Sequence, residues 1–341
     1  MGPARCSLLL GLAALLVACG SSSVNKTAGG QGGGNEGEGS GAEAQAIPVI
    51  TTFLPITLLT RAVAGKCATV QALVPPAVGP HDFQARPGDL LALQKAKVLV
   101  TNGLGVETFL EPLIRAAANP QLRVIDSSRG VATLPGHATP PKPHRAGDEH
   151  DKDHDHAHGA VNPHIWLDPL RAAKQVDTIR AGLVAADPGC AEGYNRRAQA
   201  TTAELNTLHQ ELARQLLPFR GKAFVAFHDV APYFAERYGL KAVALVDVPE
   251  LNPTPADLQR VTATVKANRI QALLSEPQAG GGSFQALAAD LGVGLSSFDP
   301  LETGSEEASR DPATYGETMR RNGANLVKAF AGDGKPNGAS Q

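Results

Sequence analysis

Three histidines stand apart from the others, each in its own loop-like stretch: His81 in VGPHDFQARP, His164 in NPHIWLDP and His228 in AFHDVAPYFAERYGL. Neutral imidazoles arriving from several loops suit a divalent metal of borderline softness such as zinc, held at ~2.0–2.1 Å. Asp299 in SSFDPLET offers a carboxylate from an equivalent position, and three imidazoles with one carboxylate close a four-coordinate set. Taken singly, each histidine also has a plainer reading as a surface or core residue bonded to a backbone carbonyl. Asp299, standing before a proline, has one as a turn starter. Their joint placement favours the metal.

A second group is denser and less ordered. His137, His144, His150, His154, His156 and His158 are interleaved with Asp148, Glu149, Asp151, Asp153 and Asp155, with prolines in front and no apolar period. Such a tract has too little apolar surface to fold alone and takes up metals readily but loosely, because each capture must order the chain. Residues 137–158 read as an auxiliary zinc collector or sensor, and His164 as part of a fixed site. His209, beside Leu208 on a helical stretch, reads as a solvated helix residue.

The elements that position these residues alternate. IPVITTF, ATVQALV, KVLVTNG and RVIDSS read as strands, separated by the helical stretches PITLLTRAVAGK, RPGDLLALQKA and VETFLEPLIRAAAN. The second half repeats the scheme with AFVAF, AVALVDV, ALLSE and VGLSSFD, separated by VAPYFAERYGL, PADLQRVTATVKANR and SFQALAADLG. Alternation of this kind predicts α/β architecture, two similar Rossmann-like lobes with parallel sheets. Each isolated histidine then falls in or beside a loop at the C-terminal edge of a sheet, where open α/β sheets collect ligands. Between the halves, Tyr194, Ala198, Leu205, Leu208, Leu212 and Leu216 keep near-helical spacing, which predicts one long rigid linking helix over 190–217 with a metal site in the cleft. The N-terminal lobe is 47–189 and the C-terminal lobe 218–333, followed by a tail, 334–341.

The N-terminus reads as a lipoprotein signal over 1–18, with the apolar run SLLLGLAALLVA and a Leu16-Val17-Ala18-Cys19 box that resembles the bacterial lipidation site at Cys19. The run is too short to span a bilayer. Residues 19–46 are Gly/Ser-rich and read as a flexible tether. Of the four cysteines, Cys6 leaves with the signal, Cys19 takes lipid, and Cys67 and Cys190 are expected as separate free thiols, since no motif pairs them.

Several functions are excluded. A net charge of −2 with no Lys/Arg stripe gives no nucleic-acid footprint. Gly103-Leu104-Gly105 has Thr108 where a dinucleotide fingerprint needs glycine, and Gly65-Lys66 and Gly221-Lys222 lack the rest of a P-loop. With no nucleophile elbow and no HExxH motif, the chain is expected not to be an enzyme. Any transport it serves must be powered by another chain.

GPHDFQARPGDLLALQKAKVLVTNGLGVETFL, NPHIWLDP, FHDVAPYFAERYGL, EPQ and FDPL together resemble blocks of the metal-binding solute-binding proteins of bacterial ABC importers, in particular the zinc-type, ZnuA-like members of the cluster A-I family. The likeness runs from about Ile47 to Gly332. It implies two α/β lobes joined by a rigid helix, a monomer outside the cytoplasmic membrane, and a separate permease and ATPase as partners. The ligand positions map onto His81, His164 and His228, with Asp299 at the carboxylate position. Manganese-type relatives carry a carboxylate where this chain has His228, and nitrogen there favours Zn2+ over Mn2+. Asn162 stands where many relatives have Asp, which removes one carboxylate that could orient His164. The rival readings are a manganese or iron importer component, a zinc hydrolase using Asp82 or Asp229 as base, and a metal-binding surface adhesin.

Overall fold

The computed structural model describes residues 46–136, 161–246, 253–277 and 282–331. The signal, Cys19, the tether, the histidine-rich stretch 137–158 and the tail lie outside the described residues. Strands β1 (Ile47–Thr51), β2 (Ala68–Ala72), β3 (Val98–Thr101) and β4 (Arg123–Asp126) form a parallel sheet in the order β2-β1-β3-β4. A second parallel sheet repeats that order with β5 (Ala223–Ala226), β6 (Lys241–Ala244), β7 (Ala272–Ser275) and β8 (Gly294–Ser297), arranged β6-β5-β7-β8. In each sheet the chain reverses its direction of progress between the two central strands. That switch point opens a crevice at their C-terminal ends.

The helices are α1 (Leu54–Ala64), α2 (Pro87–Lys95), α3 (Leu110–Ala117), α4 (Pro169–Ala186), α5 (Ala191–Leu216), α6 (Pro232–Tyr238), α7 (Pro255–Asn268), α8 (Gly282–Asp290), α9 (Glu306–Arg310) and α10 (Ala313–Ala331). Proline opens α1, α2, α4, α6 and α7 within the first two positions, where its missing N–H would have had no partner in the helix anyway. The sequence pattern announces neither α4 nor the short α9. In α4 the buried face includes Arg171 and Gln175 besides Val176, Ile179 and Leu183, so the apolar stripe that marks a helix is interrupted by polar groups with partners of their own.

Alternation along the strands sorts side chains into layers. Val49, Val98, Val100, Phe224, Ala226 and Leu274 face one continuous core that crosses from the first lobe to the second, whereas Ile50 and Leu99 belong to a core confined to the first lobe and Val225 and Leu273 to one confined to the second. This is the period of two expected when a sheet is covered on both faces. Helix α5, about 40 Å long at ~1.5 Å per residue, lies in the shared core through the six residues expected from its spacing. It packs on α1, α4 and α10, so it is a buried spine of both lobes.

Two expectations are corrected here. Cys67 and Cys190 form a disulfide, with Cα atoms 6.1 Å apart across 123 residues. The pair joins the end of α1 to the start of α5, and because packing of those helices brings the cysteines together, no spacing in the sequence announces it. Closing so long a loop contributes about 3–5 kcal/mol in the chain-entropy account. His209 is half-buried on α5, its ring stacked on Tyr238 at 5.8 Å, because α6 covers that side of the spine.

Candidate metal centre

The register of the second sheet builds half of the site. Ala226 of β5 stands opposite Leu274 of β7, and two residues beyond each come His228 and Glu276. The Glu276 carboxylate accepts hydrogen bonds from the His228 backbone N–H at 2.9 Å and from its ring Nδ1. With Nδ1–H committed there, Nε2 is the nitrogen turned to the cleft. Glu276 belongs to the EPQ block, and its orienting role is not legible without the strand pairing.

His164 reaches the same point from the segment before α4. Asn162 Oδ1 lies 3.0 Å from the His164 backbone nitrogen and 3.1 Å from its Nδ1. A backbone N–H can only donate, which fixes the amide with its oxygen toward His164 and assigns the ring proton to Nδ1. Nε2 therefore faces Glu302, 3.1 Å from Oε1. From the first lobe, Asn102 Nδ2 donates to Pro163 O at 3.0 Å. Asn102 itself begins the turn through Gly103 (φ 84°), Leu104 (φ 59°) and Gly105 (φ 83°). A Cβ on Gly103 would come within 2.3 Å of the Asp126 carboxylate, so this tight turn requires glycine there.

His81 arrives on the loop between β2 and α2. Its Nε2 lies 3.7 Å from Glu302 Oε1, and His228 Nε2 lies 3.6 Å from the same atom. One ligand atom from each of His81, His164, His228 and Glu302 falls within 4.8 Å of the others. A tetrahedron with arms of ~2.0–2.1 Å has edges of about 3.3–3.4 Å, and the three measured separations bracket that value. His164, His228 and Glu302 have side chains at most 1% exposed, whereas His81 is 12% exposed. An open cavity of about 540 Å3 bordered by Gly79, Asp82, Pro277 and Thr303 lies beside His81, next to three of the groups that build the site.

The structure thus brings the three expected histidines together with Glu302, while Asp299 lies outside that group. Asp299 Oδ1 accepts from Leu301 N at 2.8 Å, while its backbone exchanges hydrogen bonds with the Asn322 amide at 2.8 and 2.7 Å. It starts a turn and pins α10. That turn, with Leu301 at φ 62°, swings the chain so that Glu302, three residues on, points into the cleft. The signal was present as a second carboxylate in SSFDPLET; choosing between the two required the turn.

Electrostatics in this buried group are strongly coupled. Burial pulls the His228 imidazole down, but Glu276 and Glu302 outweigh it and hold the ring up at about 10. For His164 burial dominates and lowers the pKa, opposed by Glu302. Burial pushes Glu302 up, yet the charge of His228, with the His164 and His81 rings beside it, holds it well below the usual carboxylate range. The His164 Nε2 lone pair aimed at a carboxylate oxygen repels it unless a cation stands between them. A proton does so at His228, and a divalent metal can do so for all three rings at once.

The chain was compared with known proteins. The family described as "ZnuA: Zinc-uptake complex component A periplasmic" matches residues 49–329. The chain belongs to that family. Among curated relatives, the "Zinc-binding lipoprotein AdcA" of Streptococcus pneumoniae is 30% identical over 279 residues, covering 80% of this chain and 54% of the relative. This chain therefore spans about half the length of that protein. The "High-affinity zinc uptake system protein ZnuA" of Bacillus subtilis is 27% identical, covering 90% of this chain and 91% of its own. A crystal structure of a ZnuA deletion mutant with zinc bound superposes with a TM-score of 0.70 at 26% identity, covering 86% of this chain and all of that one. Family and fold agree with the two parallel-sheet lobes described above.

Proposed function

We propose that this protein captures one Zn2+ ion outside the cytoplasmic membrane and passes it to an ABC permease and ATPase on separate chains. The observation that carries this reading is the convergence of three imidazole nitrogens on the Glu302 carboxylate, 3.1 to 3.7 Å from one of its oxygens, with all four donor atoms within 4.8 Å of one another. Three nitrogens and one oxygen suit zinc better than manganese, which prefers a six-coordinate oxygen-rich shell. Four protein donors also close the shell, leaving no position for the activated water a zinc hydrolase needs. The charges support the same reading: Glu302 and Glu276 together offset the two positive charges of the ion, as a buried charge requires. In this reading Cys19 carries the lipid anchor, and residues 137–158 collect zinc without forming the tight site. No helix among the described residues is long and apolar enough to cross a membrane.

The test is a zinc titration of metal-free full-length protein with a competing chelator, repeated from pH 6 to 8. One tight equivalent is expected. Because His228 holds its proton up to about 10, zinc must displace that proton throughout this range. Affinity should therefore rise with pH, by up to about tenfold per unit for one proton released per ion. An affinity independent of pH, or more than one tight equivalent after deletion of 137–158, contradicts the reading.

A further inference from the structure

The metal-facing histidines each need something to hold the ring, and for His164 that support crosses from one lobe to the other. Asn162 is fully buried, and its amide nitrogen donates to both the backbone oxygen and Oδ2 of Asp229, each at 2.8 Å. Its amide oxygen holds the backbone and ring nitrogens of His164, and its own carbonyl accepts from the Tyr233 hydroxyl of α6 at 2.6 Å. Asp229, 3% exposed, immediately follows His228 on the second lobe. We infer that Asn162 and Asp229 act as a positioning pair, in which the Asp229 carboxylate orients the Asn162 amide and the amide in turn aims His164 Nε2 at the metal. The inference rests on the zinc reading of the site.

The consequence is a coupling between two ligands that come from different lobes. A carboxylate directly behind His164 would hold the ring from within its own segment. With asparagine there, the hold on Nδ1 depends on the second lobe presenting Asp229. Any movement that draws the two lobes apart at this point takes away the donor's partner and loosens His164 together with the separation from His228. The pair thus positions a ligand and ties its grip on the metal to closure of the cleft.

The test uses full-length protein loaded with Zn2+ and, separately, with Co2+, whose visible absorption is intense in a tetrahedral site and weak in an octahedral one. Asn162→Ala should weaken zinc binding by about ten- to a hundred-fold, the usual effect of losing the group behind a metal-ligating histidine, and should dim the Co2+ bands. Asn162→Asp should lose affinity as well, because two carboxylates then face each other. Adding Asp229→Asn to that variant restores a donor–acceptor pair with the roles exchanged, and should recover most of the affinity and the Co2+ spectrum. A merely structural role would move the melting temperature of the metal-free protein and leave the Co2+ spectrum intact. Wild-type affinity and spectrum in Asn162→Ala, or an exchanged pair no better than Asn162→Asp alone, overturns the inference. Failure of the wild-type protein to take up one zinc overturns the reading of the site itself.

Discussion

Glu302→Gln is expected to weaken zinc binding by roughly a hundred- to a thousand-fold, about a quarter of the ~10–16 kcal/mol apparent for a four-ligand zinc site. Glutamine keeps the shape of the side chain but removes the charge on which three imidazoles converge. It also removes the partner that, with Glu276, raises His228, so proton release on zinc binding should fall in the same variant. Asp299→Asn is the matched control, since asparagine can still accept from Leu301 N and keep the turn. Its zinc affinity should stay within about twofold of wild type, as for substitutions that retain their contacts. Chelator competition, with the fluorescence of Trp166 as a second signal, measures both. Trp166 is the chain's one tryptophan and lies 5.1 Å from the His164 ring. Reversed effects of the two substitutions would return the carboxylate role to Asp299.

Asp168→Ala is expected to destabilise the protein by about 3–5 kcal/mol, the cost of removing one partner from a buried ion pair. Asp168 is fully buried and caps α4 by accepting from Leu170 N at 3.0 Å. It pairs with Arg171 at 2.7 Å and with Arg237 of α6 through both carboxylate oxygens, the shortest contact being 2.6 Å. Arg171 also reaches Glu236 at 2.7 Å and lies over the Tyr233 ring. The substitution therefore takes the carboxylate from Arg237, leaves Arg171 with Glu236, uncaps a helix of 18 residues and loosens the join between α4 and α6. Urea unfolding of metal-free protein measures it. A change below about 1 kcal/mol would place Asp168 with ordinary surface ion pairs.

The sequence made the scaffold legible because its signals are local. Alternating apolar strands, prolines at helix starts and the spacing from Tyr194 to Leu216 each belong to one element, and the structure places strands at all eight stretches read as such. The three histidines stood out because each sits in its own loop block, although only His228 closely follows a strand end. What escaped depends on contacts between elements. Glu276 is tied to His228 by strand register, Glu302 is separated from Asp299 by a turn, and Cys67 meets Cys190 through the packing of α1 on α5. Asn162 shows the limit most clearly. Read alone it is a missing carboxylate, but the fold supplies one from Asp229 on the other lobe.

The central claim is that one zinc ion sits among His81, His164, His228 and Glu302. Anomalous diffraction at the zinc edge, from crystals of the full-length protein loaded with one equivalent of zinc, tests it most directly. One strong peak is expected about 2.0–2.1 Å from three Nε2 atoms and one Glu302 oxygen. A principal peak beside Asp299, or among the histidines of residues 137–158 with none at these four residues, would contradict it.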